Sequence, residues 1–255
     1  MTRLEARGIR LEIGGKPLCT GLDLALNAGE TWAILGANGS GKTTLLHVLS
    51  GLRMPSEGRV YLDGSDIRLL HPRAVALRRG VLLQESEPGL AAEVMQTVLT
   101  GRHPHLTPWG WEGPEDYRMA SMALAAMDLE EFAGRALPTL SGGERRRVEI
   151  AALIAQDAPI CLLDEPTNHL DLHHQIKVLA LIAARSRLPG HLNVMVLHDI
   201  NLALRFCTHG LLLLANGDHR QGRLDAILDA QVLERVYHCP FREMGAAGDR
   251  IFLPV

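Results

Sequence analysis

The chain has 255 residues and 47% of them are hydrophobic, so it can bury a full core as one α/β domain or as one domain with a subdomain. A net charge of −3 and an aromatic content of 4% argue against a nucleic-acid partner, because base stacking and phosphate contacts need aromatic and basic surface. Four cysteines with no CxxC pair argue against a disulfide framework, and no apolar run reaches the roughly 18 residues of a membrane span.

The first half of the chain predicts strands and then helices. Residues 4–35 alternate between apolar and polar side chains and predict two or three strands, and residues 57–63 predict another. Residues 80–84 read as a buried strand that ends at a glutamine. Residues 91–155 are rich in Ala, Leu and Met at helical spacing, and a loop rich in Pro, Trp and Gly at 103–114 interrupts them. We expect α/β structure to return after this helical region.

Three short apolar runs, at residues 32–35, 160–163 and 194–197, are typical of parallel strands that are covered on both faces. A glycine-rich loop follows the first run, Asp164 and Glu165 follow the second, and His198 follows the third. Ligands of open α/β sheets bind beyond the carboxyl ends of the strands. We therefore expect the three segments to point chemical groups at one edge of a sheet.

The glycine-rich loop has the strand–loop–helix context of a phosphate-binding loop. Its glycines allow backbone N–H groups to surround phosphate oxygens. Lys42 supplies a charge to the outer phosphates, and the Thr43 hydroxyl is placed to bind Mg²⁺. The residues expected to bind the nucleotide here are Gly36, Asn38, Gly39, Ser40, Gly41, Lys42, Thr43 and Thr44.

The two carboxylates after the second apolar run suit the chemistry of a bound triphosphate. Asp164 suits the holding of a metal ion beside Thr43, through a water, and Glu165 can polarise a water for attack on the γ-phosphate. Taken alone, an apolar run followed by two carboxylates is as typical of a strand with an acidic turn as of a catalytic site. The phosphate-binding loop upstream favours the catalytic interpretation.

The motif order identifies a resemblance. A phosphate-binding loop, then LSGGE at 140–144, then LLDEPT at 162–167 resembles the ATP-binding-cassette (ABC) ATPase family over about residues 3–220. The resemblance implies an α/β fold: a P-loop NTPase (RecA-like) core with an antiparallel β subdomain and an inserted α-helical signature subdomain. The chain is then a single ABC ATPase domain, 1–255. Its expected parts are the core at about 1–87 and 156–220, the helical subdomain at about 88–155 and the tail at 221–255.

The LSGGE segment predicts a capped helix start. Ser141 is expected to cap a helix that begins near Gly142, and Gly142 and Gly143 then expose N–H groups at its positive end. An LSGGE segment found without the other motifs would indicate an ordinary capped helix. In the family, two chains pair head to tail and the LSGG of one closes over the ATP of the other. The resemblance thus implies a dimer with two ATP molecules between its subunits.

The resemblance also implies roles for isolated polar residues. Gln84 resembles the Q-loop glutamine that contacts Mg²⁺, His198 resembles the switch histidine, and Asp171 in the D-loop-like stretch 168–171 is expected to reach across the dimer. By themselves, a Gln or His after a strand is more often plain polar surface. The implied catalytic residues are Glu165, His198 and Gln84; the implied Mg²⁺ ligands are Thr43, Gln84 and Asp164; and the cofactors are ATP and Mg²⁺.

Two positions depart from the family pattern. Ile13 stands where an aromatic residue usually stacks on adenine, which removes a stacking contribution of about 1 kcal/mol and predicts weaker selection against GTP. Arg146 stands where a glutamine is common. The run of arginines at 145–147 is expected to form a solvated helix face.

Three classes of ABC protein are possible. A soluble ABC ATPase of translation or gene regulation typically has two cassettes, and a DNA-repair or chromosome ATPase inserts a long coiled coil before the signature. One cassette and no heptad array favour the third class, a transporter ATPase. The expected partners are a second copy, separate transmembrane permease subunits and, indirectly, a periplasmic or surface substrate-binding protein, with no nucleic acid. The expected place is the cytoplasmic face of the inner (plasma) membrane, held there by the permease.

Import is favoured, because exporters of the family often fuse the membrane domain to the ATPase. The permease is expected to dock near Gln84 and residues 88–118, where Trp109 and Trp111 are either contact anchors or residues packed under a loop. The stretches 100–109, 170–175 and 198–207 resemble the importers of metal chelates. Within that group we favour cobalamin (vitamin B12), with ferric siderophore or haem as the alternative and a soluble non-transport ATPase as a remoter one.

Overall fold

The computed structural model describes residues 3–84, 92–107, 109–245 and 250–255. The chain divides into two compact units. The first unit comprises residues 1–69 and 182–255, and the second comprises residues 70–181. The subdomain limits expected from the resemblance, at about 88 and 155, stay a prediction.

Twelve strands form in the described residues: β1 (Arg3–Ile13), β2 (Lys16–Asn27), β3 (Thr31–Gly36), β4 (Glu57–Leu62), β5 (Ser65–Asp66), β6 (Arg79–Leu82), β7 (Ile160–Asp164), β8 (Leu192–Val196), β9 (His209–Leu213), β10 (His219–Arg223), β11 (Phe241–Met244) and β12 (Ile251–Pro254). Nine α-helices form there: α1 (Lys42–Leu49), α2 (Pro72–Ala76), α3 (Val94–Leu99), α4 (Pro114–Ala126), α5 (Gly142–Gln156), α6 (Leu172–Arg185), α7 (Ile200–Phe206), α8 (Leu224–Ile227) and α9 (Ala230–Tyr237).

An antiparallel sheet in the first unit has the strand order β2-β1-β4-β5. The hairpin of β1 and β2 turns at Gly14 and Gly15, whose φ angles of 56° and 78° favour glycine. Leu22, Leu24 and Leu26 alternate with exposed residues along β2. This alternation confirms the strands predicted for residues 4–35.

A second sheet of the first unit places β3 between two parallel neighbours, β8 and β9, and β10 pairs antiparallel with β9. Every residue of β3 and β8 is buried. This burial confirms the prediction of strands covered on both faces, and it explains why their sequences are continuous apolar runs. The carboxyl ends of β3 and β8 lead to the glycine-rich loop and to His198.

In the second unit, β6 and β7 form a parallel pair. β6 was expected to run to Gln84 but ends at Leu82. The next carbonyl, that of Leu83, accepts a hydrogen bond from Arg146 Nη1 at 2.7 Å. A side-chain donor therefore takes this carbonyl, and the strand ends two residues before the glutamine.

Helices α3, α4 and α5 of the second unit pack against one another. Residues 100–105, part of which we expected to be loop, form a 3₁₀ helix that packs on α5. This approach is close, because a Cβ on Gly101 would lie 2.1 Å from the carbonyl oxygen of Ala152. The expected loop ends where α4 begins at Pro114, with Asp116 Oδ2 accepting the N–H of Gly113 at 3.0 Å.

The C-terminal hairpin of β11 and β12 packs on α7 in the first unit. The Asn201 amide bonds the Phe252 backbone twice, accepting its N–H at 2.8 Å and donating to its carbonyl at 3.1 Å. Phe252 is itself buried. Of the helices that the structure describes, none has the length and apolar character of a membrane span.

Candidate functional site

The glycine-rich loop between β3 and α1 wraps around its own lysine. Lys42 is buried, and its ammonium donates to the backbone oxygens of Gly36 at 2.8 Å and Ala37 at 2.9 Å. Gly39 and Gly41 have φ angles of 74° and 97°, in the region that favours glycine. Gly41 is the N-cap of α1 and has no side chain to offer the first-turn N–H groups. The loop therefore presents a cation and backbone donors to an anion.

The hydroxyl of Ser40 is a second donor in this loop. Its oxygen is buried, and no hydrogen-bond partner for it is found within the described part of the chain. The loop is tight at this point, since a Cβ on Gly36 would lie 2.6 Å from Ser40 Oγ. A phosphate oxygen would satisfy this buried hydroxyl, so the loop fits the phosphates of ATP.

His198 leaves the same edge of the first unit's sheet as the glycine-rich loop. β3 and β8 are parallel neighbours in which Ile34 aligns with Val196, and Leu197 N donates to the carbonyl of Ile34 at 3.3 Å. His198 is exposed two residues beyond Val196. Asp199 then caps α7. Within this unit, two of the expected segments therefore leave adjacent strand ends.

The Glu165 carboxylate is oriented by two side-chain amides of the second unit. Gln84 Nε2 donates to Glu165 Oε2 at 3.3 Å, and Asn168 Nδ2 donates to the same oxygen. Gln84 and Glu165 follow the parallel strands β6 and β7, which explains why they meet. Sequence reasoning placed Asn168 in the D-loop-like stretch but missed this contact. Its position three residues after Glu165 is the signal that could have found it.

Helix α5 starts with a reciprocal cap. The Ser141 hydroxyl accepts the Glu144 N–H at 3.3 Å, and Glu144 Oε2 accepts the Ser141 N–H at 2.7 Å. The prediction that Ser141 caps a helix starting at Gly142 is confirmed. The Ser141 N–H also holds the pKa of Glu144 below its usual value. The first-turn N–H groups of Gly142 and Gly143 lie at the positive end of this helix.

The helix start lies against residues 168–171 of the same unit. A Cβ on Gly143 would lie 2.8 Å from the carbonyl oxygen of His169, so this approach requires glycine. Asp171 is exposed, and its carboxylate accepts the backbone N–H of His174 and contacts His174 Nδ1, each at 2.9 Å. The His174 N–H lowers the pKa of Asp171. The structure thus joins the signature to the D-loop-like stretch, with Asp171 bonded at the start of α6.

The expectation that residues 145–147 form a solvated face is wrong for Arg146. Arg145 is exposed, but Arg146 is only 3% exposed. The reason is helical period: Ile150 and Leu153, four and seven residues later, are buried on the same face of α5. Arg146 is the second residue of this site that sequence reasoning missed.

The residues expected to hold Mg²⁺ offer suitable donors. Thr43, Gln84 and Asp164 supply hydroxyl, amide and carboxylate oxygens, which a hard cation prefers. Asp164 is fully buried at the end of β7. The donor types of these three residues thus suit a magnesium ion, and their joint role as its ligands stays a prediction.

A groove runs across the second unit beside Gln84. Its walls include Leu83, Thr100 and Tyr117. Trp109 and Trp111 are 94% and 89% exposed, which excludes the alternative that they pack under a loop of the described chain. Part of the expected docking segment, residues 88–91 and 108, lies outside the described residues.

Ile13, at the end of β1 in the first unit, is 47% exposed. Its side chain can therefore offer aliphatic surface to a bound base. The weaker selection against GTP stays a prediction.

Comparison with known proteins gives concordant matches. The model of the ABC transporter family matches residues 19–168. The chain is 35% identical to the ferric enterobactin transport ATP-binding protein FepC of Escherichia coli (strain K12), over 100% of this chain and 95% of that protein. It is 39% identical to the hemin import ATP-binding protein HmuV of Nocardia farcinica (strain IFM 10152), over 99% of this chain and 89% of that protein.

A cobalamin import ATP-binding protein BtuD of Halobacterium salinarum is 33% identical over 92% of this chain and 58% of that protein. Among solved structures, an inward-facing metal-chelate type ABC transporter superposes with a TM-score of 0.84 at 28% identity, covering 100% of this chain and 97% of the other. The family model covers more than half of the chain, and the phosphate-binding loop and the capped signature helix have the geometry described above. The chain belongs to the ABC transporter family, as an ATP-binding ATPase subunit.

Proposed function

We propose that this chain hydrolyses ATP with Glu165 as the residue that polarises the attacking water. The observation that carries the proposal is the Glu165 carboxylate held through one oxygen by the amides of Gln84 and Asn168. Two donors on Oε2 fix the orientation of the carboxylate, which a general base needs in order to face the attacking water. A general base acts efficiently only when its geometry relative to the attacking water is fixed in this way.

The other residues bind and orient the nucleotide in this proposal. Lys42, Ser40 and the N–H groups of the loop hold the phosphates, and His198 contacts the γ-phosphate. Thr43, Gln84 and Asp164 hold Mg²⁺, which supplies neutralisation of the phosphate charge when it is bound.

A second copy of the chain completes the site. The first-turn N–H groups of Gly142 and Gly143 form an anion site at the start of α5, and one triphosphate already has its donors in the loop of its own chain. We therefore propose a head-to-tail dimer in which the Ser141–Gly143 segment and Asp171 act on the nucleotide of the partner.

The transport role rests on the relatives. We propose that the chain powers import of a metal chelate through separate permease subunits, at the cytoplasmic face of the membrane, with a substrate-binding protein delivering the chelate. The near full-length relatives reported above are named for ferric enterobactin and hemin, whereas the cobalamin relative is covered over only 58% of its length. An iron chelate, siderophore or haem, thus has more support than the cobalamin expected from the sequence.

The groove beside Gln84 suits the docking of the permease. Trp109 and Trp111 expose large apolar surface in the same unit, and exposed aromatic residues are typical anchors of protein interfaces. We propose that a cytoplasmic segment of the permease occupies the groove and contacts these tryptophans.

Glu165→Gln tests the hydrolytic role. We expect steady-state hydrolysis to fall by a factor on the order of 10³ while ATP affinity stays within about twofold, since the amide keeps the shape but accepts no proton. Phosphate release and equilibrium dialysis measure the two quantities. Turnover near the native rate would refute the role.

ATPase stimulation tests the substrate. The chain, its permease and its substrate-binding protein are placed in vesicles and given ferric siderophore, haem and cobalamin separately. We expect a ferric siderophore or haem to stimulate hydrolysis more than cobalamin does, and equal rates with all three would contradict the preference for an iron chelate.

A further inference from the structure

Arg146 holds three backbone carbonyls at once. Its Nη1 donates to Leu83 O at 2.7 Å, and its Nη2 donates to Asp164 O at 2.5 Å and to Glu165 O at 2.9 Å. The three acceptors belong to two separate chain segments, while Arg146 itself belongs to α5. One buried guanidinium therefore joins three segments of the second unit.

Those carbonyls belong to the peptides that place the reacting groups. The carbonyl of Leu83 is part of the peptide that carries the N–H of Gln84. The carbonyls of Asp164 and Glu165 lie on either side of the Glu165 Cα atom. Glu165 has a φ of 45°, a left-handed conformation that costs a non-glycine residue energy unless its surroundings hold it. Arg146 is thus bonded on both sides of the Gln84–Glu165 side-chain contact.

The charge of Arg146 is compensated on its own helix. Arg146 Nη1 lies 2.9 Å from Glu149 Oε2, one turn along α5, and the two side chains are 4% and 27% exposed. A buried cation needs such a partner, and the planar guanidinium is suited to several acceptors in fixed directions. A glutamine has one amide with two donors and can replace at most part of this set.

We propose that Arg146 is a positioning residue for hydrolysis: through the backbone, it fixes Gln84 and Glu165 relative to the helix that carries the signature. The inference rests on the proposed role of Glu165. Because the guanidinium is buried and its Nη1 and Nη2 donate to backbone carbonyls and to Glu149, its loss alters the rate of hydrolysis and leaves ATP binding unaltered.

Arg146→Gln in the full chain is the first variant. We expect kcat to fall about tenfold, because small displacements of a catalytic group are costly, while the KM and Kd for ATP stay within about twofold. Arg146→Lys keeps the charge without the planar fork, so its kcat should lie between that of the native chain and that of Arg146→Gln. It also keeps the test decisive if Arg146→Gln does not fold.

Arg147→Gln is the matched control on the same helix. Arg147 Nη1 also donates to backbone carbonyls, those of Met127 at 2.7 Å and Asp128 at 3.5 Å, and these residues precede Glu165 by more than 30 positions in the sequence. We expect this control to lower the melting temperature but to leave kcat unchanged. An equal loss of kcat in both variants would make Arg146 merely structural and overturn the proposal.

Combination with Glu165→Gln separates this inference from the proposed function. In single-turnover measurements, Arg146→Gln should add no further loss to Glu165→Gln, because the two act through the same group. Additive losses, or a kcat for Arg146→Gln within about twofold of the native value, would overturn the inference. If Glu165→Gln alone retains the native rate, the proposed function fails instead.

Discussion

Helix α1 follows a glycine-rich loop and helix α5 begins with two glycines, yet the N–H groups of their first turns are satisfied differently. At α1, Gly41 offers no capping side chain, and the buried Lys42 brings a cation to the loop. At α5, Ser141 and Glu144 cap each other, and this cap brings the carboxylate of Glu144 into the first turn.

The difference indicates which of the two helix starts binds the anion first. A cation together with uncapped N–H groups attracts a triphosphate to α1 within one chain. A helix start that is already capped and carries a carboxylate attracts a free phosphate weakly. We therefore expect the start of α5 to act on a phosphate that another loop has already bound, which is the order of events that the proposed two-copy site requires.

Lys42→Ala removes the cation at the start of α1 and should have the largest effect on ATP binding. Loss of charge-assisted hydrogen bonds worth about 2–3 kcal/mol should weaken ATP affinity of the single chain by a factor of about 30 to 150. Titration calorimetry measures the change. Lys177→Ala, which removes an ion pair of Lys177 with Asp128, is the control and should bind ATP normally.

Ser141→Ala tests the capped start of α5. We expect ATP affinity of the single chain to change by less than about twofold and hydrolysis to fall about tenfold, with a stability loss of about 1 kcal/mol from the missing cap. Asp229→Ala removes the N-cap of α9, where Asp229 Oδ1 accepts the Val232 N–H at 2.7 Å, and controls for that stability loss. Unaltered hydrolysis in Ser141→Ala would remove the functional distinction between the two helix starts.

Ile13→Tyr tests how much of the nucleotide affinity comes from the base and how much from the phosphates bound at α1, and we expect it to have the smallest effect. A stacking ring should add about 1 kcal/mol to ATP binding, or about fivefold in affinity, and should improve discrimination against GTP. Competition between ATP and GTP in a binding assay measures both. Unchanged ATP affinity with unchanged discrimination would show that the missing aromatic residue is not what sets base affinity here.

The sequence predicted those parts of the fold and site that depend on local signals. The apolar runs before the glycine loop, Asp164 and His198 form buried strands, since parallel strands covered on both faces have no polar alternation. The cap at Ser141 was equally accessible, because a capping box is a contact within four residues.

Contacts that close over long sequence separations were not predictable in the same way. Arg146 reaches Leu83 and Glu165 across 63 and 19 residues, and three consecutive arginines predict a solvated face by composition alone. The period of α5 would have placed Arg146 with Ile150 on the buried face. Its acceptors, however, are backbone carbonyls, which leave no mark in a sequence.

The proposed action of Ser141–Gly143 on the ATP of a second copy is tested by light scattering and equilibrium dialysis on Glu165→Gln, with and without the added Ser141→Arg. We expect ATP to convert Glu165→Gln to a dimer, and the double variant to stay a monomer that binds ATP with unaltered affinity. If the double variant instead loses ATP affinity as severely as Lys42→Ala, Ser141 acts within its own chain and the two-copy site is wrong.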